Sequence, residues 1–392
     1  EAGRALNQER LLQRDRVHEL KMRALGELFE LFDEGDPGFQ AYRREQGSDL
    51  RDYATFCALS ERQEGPWPQW PPGYRRPRTT AVDLFRREHE SRVRFHEWLQ
   101  WLLDRQLARA AREIGLVQDL AIGVRGDGAD AWMWQDALAQ GFSVGAPPDP
   151  FNPAGQDWGL PPFDPWRLRA AAYEPFIQTV RAAFRHSAGL RVDHVMGLFR
   201  LYWIPAGGSP ARGVYVRYPH RELLDLLALE SRRAGAYAVG EDLGTVEAEV
   251  REELARRRVL STRLLWFEEQ PPTGYPRDSM ASLTTHDLPT LAGVWEGSDS
   301  DPQLRRRLLT QAGLEGGEDT DQAAAAAHRA LAASPARLLA ATLEDALGVS
   351  ERPNKPGTRT EWPNWCLGLP AGLEELERSP GPRRLAETLR RS

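Results

Sequence analysis

The 392-residue chain is long enough to bury a sizeable core, in one large domain or in two. Its net charge of −6 argues against nucleic acids and anionic membranes as partners, because both favour basic surfaces. The sequence has no run of about 18 apolar residues that could span a bilayer. Its two cysteines, Cys57 and Cys366, are too few for a disulfide framework or a zinc site. We therefore expect a soluble, cytoplasmic protein.

The first 115 residues have a helical pattern. Apolar residues recur at helical spacing over residues 5–32, 49–62 and 80–114, and a Pro/Trp-rich loop, GPWPQWPPGYRRP, lies before the third of these segments. No part of this region reads as a strand. We predict that residues 1–115 form a helical insertion subdomain.

Beyond residue 115 the pattern changes to short apolar strands alternating with helices. The candidate strands are residues 116–124, 189–193, 236–240, 263–267, 279–284 and 338–343. The candidate helices between them include residues 173–186, 220–234 and 245–257. This alternation predicts a parallel sheet with helical crossovers over residues 116–392.

Three of the candidate strands end on an acid. Asp193 follows LRV, Glu241 follows AYAVG and Asp287 follows MASLTTH, and the acids are 48 and 46 residues apart. Each gap is long enough for a crossover helix, so the acids are expected on separate parallel strands, with their carboxyl groups at one end of the sheet. Strand tips are where a (β/α) barrel carries its chemistry, and glycoside cleavage needs paired carboxylates.

A lone acid at a strand end more often caps a helix or lies in solvent. Arg191 weakens that alternative for Asp193, because residues two apart on a strand point the same way and a guanidinium orients a carboxylate. Glu241 and its neighbour Asp242 should point to opposite sides. We assign Glu241 to the chemistry and Asp242 to the N-cap of the next helix.

The chain has 13 tryptophans, which is a high count. Core packing is the favoured explanation for Trp98, Trp101 and Trp266. Trp158 differs, because it lies in the Gly/Pro-rich segment GQDWGLP. An indole in such a loop is typical of a platform for a flat apolar ligand face, such as that of a sugar.

Five segments together resemble the successive motifs of the amylomaltase family of 4-α-glucanotransferases. They are GAPPDPFNPAGQDWGLP, LRVDHVMGLFRLYWIPAG, AVGEDLGTV, TTHDLPTLAGVWEG and ERPNKPGTRTEWPNW, and the similarity runs from about residue 10 to the C-terminus. The resemblance implies an α/β fold, the (β/α)8 TIM barrel of the α-amylase clan. It also implies retaining transfer of α-1,4-glucan segments to the 4-hydroxyl of an acceptor glucan or glucose.

The resemblance further implies the roles of individual residues. It makes Asp193 the nucleophile, Glu241 the general acid/base and Asp287 the carboxylate that stabilises the transition state. It places Arg191 and His286 beside them, and adds Gln156, Trp158 and Asn354 as sugar contacts. The implied partners are maltooligosaccharides and α-1,4-glucans, with no obligate protein partner and no metal or organic cofactor. The segment 145–160 is the expected lid that keeps water from the reaction.

The chain also departs from the family pattern. The family's opening motifs, which carry the first two barrel strands, have no counterpart, and six candidate strands are visible where a closed barrel needs eight. We therefore expect an incomplete barrel of about six strands with an apolar surface along the gap, and a chain that is part of a longer protein. Two alternatives stay open: an α-glucan hydrolase with the same carboxylates, and a non-catalytic glucan-binding fragment.

Overall fold

The computed structural model describes residues 2–148, 153–244, 246–299, 301–358 and 360–390. Contacts divide the chain into two compact units. The N-terminal unit comprises Met22–Glu241, and the C-terminal unit comprises Glu1–Lys21 together with Asp242–Ser392. None of the helices in the described ranges is long and apolar enough to cross a membrane.

Residues 2–113 contain five helices. They are α1 (Ala2–Leu6), α2 (Arg14–Glu30), α3 (Pro37–Ser60), α4 (Thr80–Glu88) and α5 (Glu90–Glu113). The later helices are α6 (Ala129–Met133), α7 (Pro165–Ala170), α8 (Glu174–Phe184), α9 (His220–Ala234), α10 (Ala248–Arg256), α11 (Leu291–Glu296), α12 (Pro302–Ala312), α13 (Thr320–Ala332), α14 (Leu343–Leu347), α15 (Leu373–Leu376) and α16 (Pro380–Leu389). Short 3-10 turns span Trp67–Gln69, Pro72–Tyr74, Val195–Leu198, Pro210–Arg212 and Pro272–Gly274.

The described part of the chain contains ten strands. They are β1 (Val117–Leu120), β2 (Phe142–Ala146), β3 (Gln156–Leu160), β4 (Gly189–Val192), β5 (Arg200–Pro205), β6 (Val214–Arg217), β7 (Tyr237–Gly240), β8 (Leu260–Leu264), β9 (Ser279–Ser282) and β10 (Leu338–Ala340).

Local sequence explains where the early helices begin and end. Asp36 accepts a hydrogen bond from the Phe39 N–H, and Pro37 occupies the first position of α3, where its missing N–H costs nothing. The predicted single helix over residues 80–114 is two helices, since His89 leaves the helical conformation with φ −121° and ψ 32°. No strand forms among the described residues before β1. The boundary placed at residue 115 stays a prediction.

Parallel strands occur in both units. In the N-terminal unit β4 pairs in parallel with β1 and with β7. In the C-terminal unit β9 pairs in parallel with β8 and with β10. The described residues therefore contain the six parallel strands that the sequence predicted, with helices between them. Within its own unit β1 pairs only with β4 among the described strands, and Val117 on it is 46% exposed.

The predicted strand over residues 263–267 is misplaced, because β8 is Leu260–Leu264. The apolar run that suggested it continues past the strand end into a turn. Trp266 in that turn is fully buried, and its indole N–H donates to the Pro289 carbonyl at 2.9 Å. Burial alone therefore does not mark a strand.

A second, antiparallel sheet of the N-terminal unit, with the order β3-β2-β5-β6, did not emerge from the sequence. Its strands are short, and glycines at positions 145 and 159 weaken the strand signal. The segment 145–160, read as a lid loop, contains the end of β2 and all of β3. Residues 149–152 lie outside the described residues, and the closing role of the segment stays a prediction.

The aromatic core of the N-terminal unit should be sensitive to truncation. Leu59 is fully buried among Trp67, Trp70 and Val82, so we expect Leu59→Ala to lower the free energy of unfolding by about 2–5 kcal/mol. Leu31→Ala is the matched control, because Leu31 is 85% exposed and its loss should cost about 0.5 kcal/mol or less. Urea titration followed by tryptophan fluorescence measures both values. Equal losses for the two variants would contradict this packing.

Candidate active site

The register of β4 and β7 brings two of the predicted acids together. The last paired residues are Val192 and Gly240, so Asp193 and Glu241 leave the two strand tips side by side. The Glu241 N–H donates to the Val192 carbonyl at 2.9 Å, which continues the pairing to the tip. Neighbouring strands lie about 4.8 Å apart. The two carboxyl groups therefore start from backbones one strand spacing apart.

Arg191 connects Asp193 to a third acid. Its guanidinium donates to both carboxylate oxygens of Asp119 at 2.6 and 2.8 Å, and to Oδ1 of Asp193 at 3.0 Å. Asp119 on β1 lies opposite Arg191 in the parallel register. Burial by itself would lower the pKa of Arg191, but the charges of Asp119, Asp193 and Glu241 and the hydrogen bond to Asp119 outweigh it and raise that pKa. The cation is permanent and fixes the orientation of both carboxylates.

Glu241 is oriented by the residue that follows Asp193. The His194 N–H donates to Oε2 of Glu241 at 2.9 Å. His194 has φ 44° and ψ 62°, a left-handed conformation that is uncommon for a residue with a side chain. This conformation ends β4 and turns the N–H toward the neighbouring strand tip. Burial of the imidazole lowers the pKa of His194, although the Asp193 charge opposes the shift.

Gln156 and Trp158 both lie on β3. The Trp158 indole N–H donates to Oε1 of Gln156 at 3.3 Å. The Trp158 ring meets the His194 ring edge-on, with centroids 5.7 Å apart and an interplanar angle of 77°. Trp158 is therefore on a strand, not in a loop as predicted, and its neighbour His194 joins it to the carboxylate pair. Contacts thus link all five predicted site residues of the N-terminal unit, which are Gln156, Trp158, Arg191, Asp193 and Glu241.

The N-cap role assigned to Asp242 is wrong. Helix α10 begins at Ala248, and its N-cap residue is Glu247. Asp242 is only 1% exposed, and its Oδ1 accepts a hydrogen bond from the Thr262 N–H of β8 at 2.8 Å. The segment between strand and helix is longer than the sequence suggested. The Asp242 carboxylate therefore supports the strand that follows, and its contact with α10 is an ion pair of 3.5 Å with Arg251, not a cap of the helix N-terminus.

The C-terminal unit brings together the other three predicted residues. The Asn354 side-chain amide donates to Oδ1 of Asp287 at 2.6 Å, and His286 Nε2 lies 3.4 Å from Oδ2 of Asp287. The His286 ring lies 5.0 Å from the ring of Trp365. Arg352 donates to the Asp287 carbonyl at 3.3 Å while its guanidinium also binds Asp299. Both oxygens of Asp287 are thus held by side chains of predicted site residues.

The predicted site residues therefore form one group in each unit, and the convergence of all three acids stays a prediction. Sequence reasoning missed four neighbours of these groups: Asp119, the His194 backbone, Arg352 and Trp365. Asp119 could have been found by aligning the strands in parallel register, which sets it beside Arg191. His194, Arg352 and Trp365 lie in motifs that the sequence analysis quoted, but nothing in those motifs distinguished them from their neighbours. Among the described residues, no cluster of three or more His, Cys, Asp or Glu could hold a metal ion.

The buried His194 predicts a pH dependence of stability. Its pKa is lowered in the folded protein, so the unfolded state binds more protons, and stability is lost as pH falls below the ordinary value near 6.5. His194→Asn removes this titration, and asparagine tolerates the left-handed backbone. We expect the wild type to lose more unfolding free energy than the variant between pH 7.5 and 5.5, measured by urea titration. The same pH dependence in both proteins would contradict a buried, neutral His194.

The known proteins to which this chain is similar share one family description. The sequence profile of the family described as 4-alpha-glucanotransferase matches residues 1–372. The chain is 42% identical over 402 residues to the 4-alpha-glucanotransferase of Mycobacterium tuberculosis (strain ATCC 25618 / H37Rv), covering 90% of this chain and 55% of that protein. It is 31% identical over 417 residues to that of Haemophilus influenzae, covering 89% and 59%. The chain thus spans somewhat more than half the length of these relatives.

Two solved structures that are similar to this chain are both amylomaltases. The amylomaltase from Corynebacterium glutamicum matches with a TM-score of 0.84 at 33% identity, over 97% of this chain and 60% of that one. The amylomaltase from Streptococcus agalactiae in complex with acarbose matches with a TM-score of 0.83 at 18% identity, over 97% and 79%. The fold of this chain is thus the α/β fold of amylomaltases, as the sequence predicted, with six parallel strands among the described residues.

Proposed function

Because the chain belongs to the 4-alpha-glucanotransferase family, we propose that it transfers α-1,4-glucan segments to the 4-hydroxyl of an acceptor glucan or glucose. The observation that carries this proposal is the pair of carboxylates on adjacent parallel strand tips. Asp193 is held by the Arg191 guanidinium, and Glu241 by the His194 N–H. In this proposal the substrates of the protein are maltooligosaccharides and longer α-1,4-glucans in the cytoplasm.

In the first step, Asp193 attacks the anomeric carbon of the donor glucan. The bond between that carbon and the glycosidic oxygen breaks, and Glu241 gives its proton to the departing oxygen. The shorter glucan leaves, and the transferred segment remains bound to Asp193 as an ester. The hydrogen bond from Arg191 to Oδ1 of Asp193 fixes the orientation of that carboxylate, which favours a single attack geometry.

In the second step, the Glu241 carboxylate takes the proton of the acceptor 4-hydroxyl. The acceptor oxygen attacks the anomeric carbon, the ester bond breaks, and Asp193 returns to its carboxylate form. Because each of the two steps inverts the anomeric carbon, the product keeps the anomeric configuration of the donor. Retaining enzymes place the two carboxyl groups about 5–5.5 Å apart, close to the spacing of adjacent strands of about 4.8 Å.

The other predicted residues have binding roles in this proposal. Asp287 accepts hydrogen bonds from ring hydroxyls as positive charge develops on the sugar, and Asn354 and His286 hold its two oxygens in place. Trp158 gives a flat apolar face to a sugar ring, with Gln156 fixed against its indole N–H. The segment 145–160 excludes water, so that transfer prevails over hydrolysis.

Incubation with maltotriose followed by chromatography tests the proposed function directly. A transferase yields glucose together with a ladder of products longer than maltotriose. A hydrolase with the same carboxylates yields glucose and maltose alone, and a glucan-binding fragment leaves maltotriose unchanged. Either of the last two results would contradict the proposal.

The two carboxylates predict a sharp contrast among isosteric variants. We expect Asp193→Asn and Glu241→Gln each to lower kcat by at least about 10³-fold, because the nucleophile or the proton donor is lost. Asp242→Asn is the matched control: it keeps an acceptor for the Thr262 N–H, so kcat should stay within about threefold while stability falls. Steady-state transfer rates and thermal unfolding separate the two effects. Loss of turnover in Asp242→Asn with retention in Glu241→Gln would reverse our strand register.

A further inference from the structure

We propose that Asp345 is a positioning residue for Asp287, acting through the contacts between two segments of the C-terminal unit. The segments are residues 286–293, which contain Asp287 and the start of α11, and residues 345–354, which begin within α14. The role of the Asp287 carboxylate in the reaction rests on the proposed function. The dependence of its orientation on Asp345 rests on the geometry of the two segments.

Hydrogen bonds join the two segments in antiparallel order. They connect Asp345 with Leu291, Ser350 with Thr290, Arg352 with Asp287, and Asn354 with His286, over 2.9, 3.1, 3.3 and 3.1 Å. Residue numbers rise along one segment while they fall along the other, so these bonds form a ladder. Asp345 lies at one end of the ladder, and Asn354 at the other end also binds the Asp287 carboxylate at 2.6 Å.

Asp345 satisfies a buried backbone donor of α11. Leu291 is the first residue of that helix, so its N–H has no acceptor within the helix. Leu291 and Asp345 are only 1% and 6% exposed, and Oδ1 of Asp345 accepts the N–H at 2.9 Å. Without this carboxylate a buried N–H would lose its partner, and the start of α11 would have to move toward another acceptor.

The Asp345 carboxyl is fixed by its surroundings. The Asp345 N–H donates to the Thr342 hydroxyl at 3.1 Å, which holds the residue in the first turn of α14. Burial raises the pKa of Asp345, and the charge of His328 on α13 opposes that shift. His328 is itself fully buried, and its Nδ1 lies 2.8 Å from the Ala324 carbonyl. Asp345 therefore interacts with three helices, α11, α13 and α14.

The two segments also pack closely between the ends of the ladder. A methyl group added at Gly293 of α11 would lie 2.5 Å from the Ser350 carbonyl oxygen, which is too close for a real contact. The Thr290 hydroxyl donates to that carbonyl, and it accepts from the Gly293 N–H at 3.0 Å as the N-cap of α11. Movement of α11 at the Asp345 end is therefore transmitted to the segment that carries Arg352 and Asn354.

The other end of the ladder sets the orientation of Asp287. Arg352 binds the Asp287 carbonyl and Asn354 binds its Oδ1, so a shift of these two residues turns the carboxylate. In the proposed reaction this carboxylate acts as charge develops on the sugar, and a misplacement of about 1 Å can lower a rate by about 100-fold. The loss falls on the transition state more than on substrate binding. Removal of the Asp345 acceptor should therefore lower kcat and leave KM nearly unchanged.

Asp345→Ala removes the acceptor, whereas Asp345→Asn keeps an oxygen for the Leu291 N–H. With maltotriose as substrate, we expect Asp345→Ala to lower kcat about tenfold or more with KM within about threefold, and Asp345→Asn to keep kcat within about threefold of the wild type. Asp319→Ala is the matched control, because Asp319 caps α13 of the same unit and accepts from the Gln322 N–H at 2.8 Å. It should lose thermal stability without losing kcat. All rates are measured well below the unfolding temperatures of the variants.

Gly293→Ala disturbs the ladder without removing a hydrogen-bonding group. The added methyl group displaces Ser350 from α11, so we again expect kcat to fall about tenfold with KM nearly unchanged. Gly317→Ala is the matched control, because a methyl group there meets nothing within 4 Å beyond its chain neighbours. This second pair of variants decides the proposal if Asp345→Ala does not fold.

Nuclear magnetic resonance of the Asn354 side chain tests the positioning without requiring turnover. The chain has only four asparagines, so 15N-labelling of asparagine gives few side-chain amide signals, and Asn354→Ala identifies the pair that belongs to Asn354. We expect Asp345→Ala and Gly293→Ala to shift this pair, because the bond from Asn354 to Asp287 changes. The two control variants should leave it in place.

The outcomes separate the positioning role from the proposed function. If the wild type converts maltotriose, and Asp345→Ala and Gly293→Ala lower kcat and shift the Asn354 signals, both proposals hold. If the wild type does not convert maltotriose, the transferase proposal fails, and the Asn354 signals alone decide the positioning role. A folded Asp345→Ala or Gly293→Ala variant that keeps the kcat of an active protein, or leaves the Asn354 signals unchanged, overturns that role. An equal loss of kcat in the matched controls overturns it as well.

Discussion

The ion pairs of the Arg191 guanidinium hold the carboxylate site of the N-terminal unit together. It bridges Asp119 on β1 and Asp193 at the tip of β4 with bonds of 2.6–3.0 Å, and its side chain is only 14% exposed. A planar donor with fixed geometry can hold two carboxylates in one arrangement, which a lysine could not do. The position of Glu241 then follows from the register of β7 against β4.

Much of the fold could be predicted because parallel strands, buried on both faces, read as short apolar runs between amphipathic helices. Five of the six predicted strands overlap the observed parallel strands closely, and helix α9 has the predicted bounds. The alternation of side chains along a strand also assigned Glu241 and Asp242 to different roles; Asp242 is buried against Thr262, and the catalytic role of Glu241 stays a prediction. The family membership inferred from the motifs is confirmed.

What the sequence could not predict depends on contacts between distant residues. The antiparallel sheet pairs β2 with β5, some 60 residues later, and its glycine-containing strands carry little local signal. Asp119 belongs to the site only because it lies opposite Arg191 in the parallel register, and Arg191 is 72 residues away in the sequence. The misassigned Asp242 shows the same limit, because its partner Thr262 belongs to the next strand. The role of Asp287 came from the family resemblance, and its contact with Asn354 joins two motifs 67 residues apart.

The most direct test of the central claim is to trap the covalent intermediate on Asp193. In Glu241→Gln, an activated donor such as an α-maltosyl fluoride can still glycosylate the nucleophile, because fluoride needs no proton donor, while the base for the second step is missing. The account predicts that mass spectrometry of the digested protein finds a glycosyl adduct on the peptide containing Asp193. An adduct on another residue, or release of product with inverted configuration and no adduct, would contradict it.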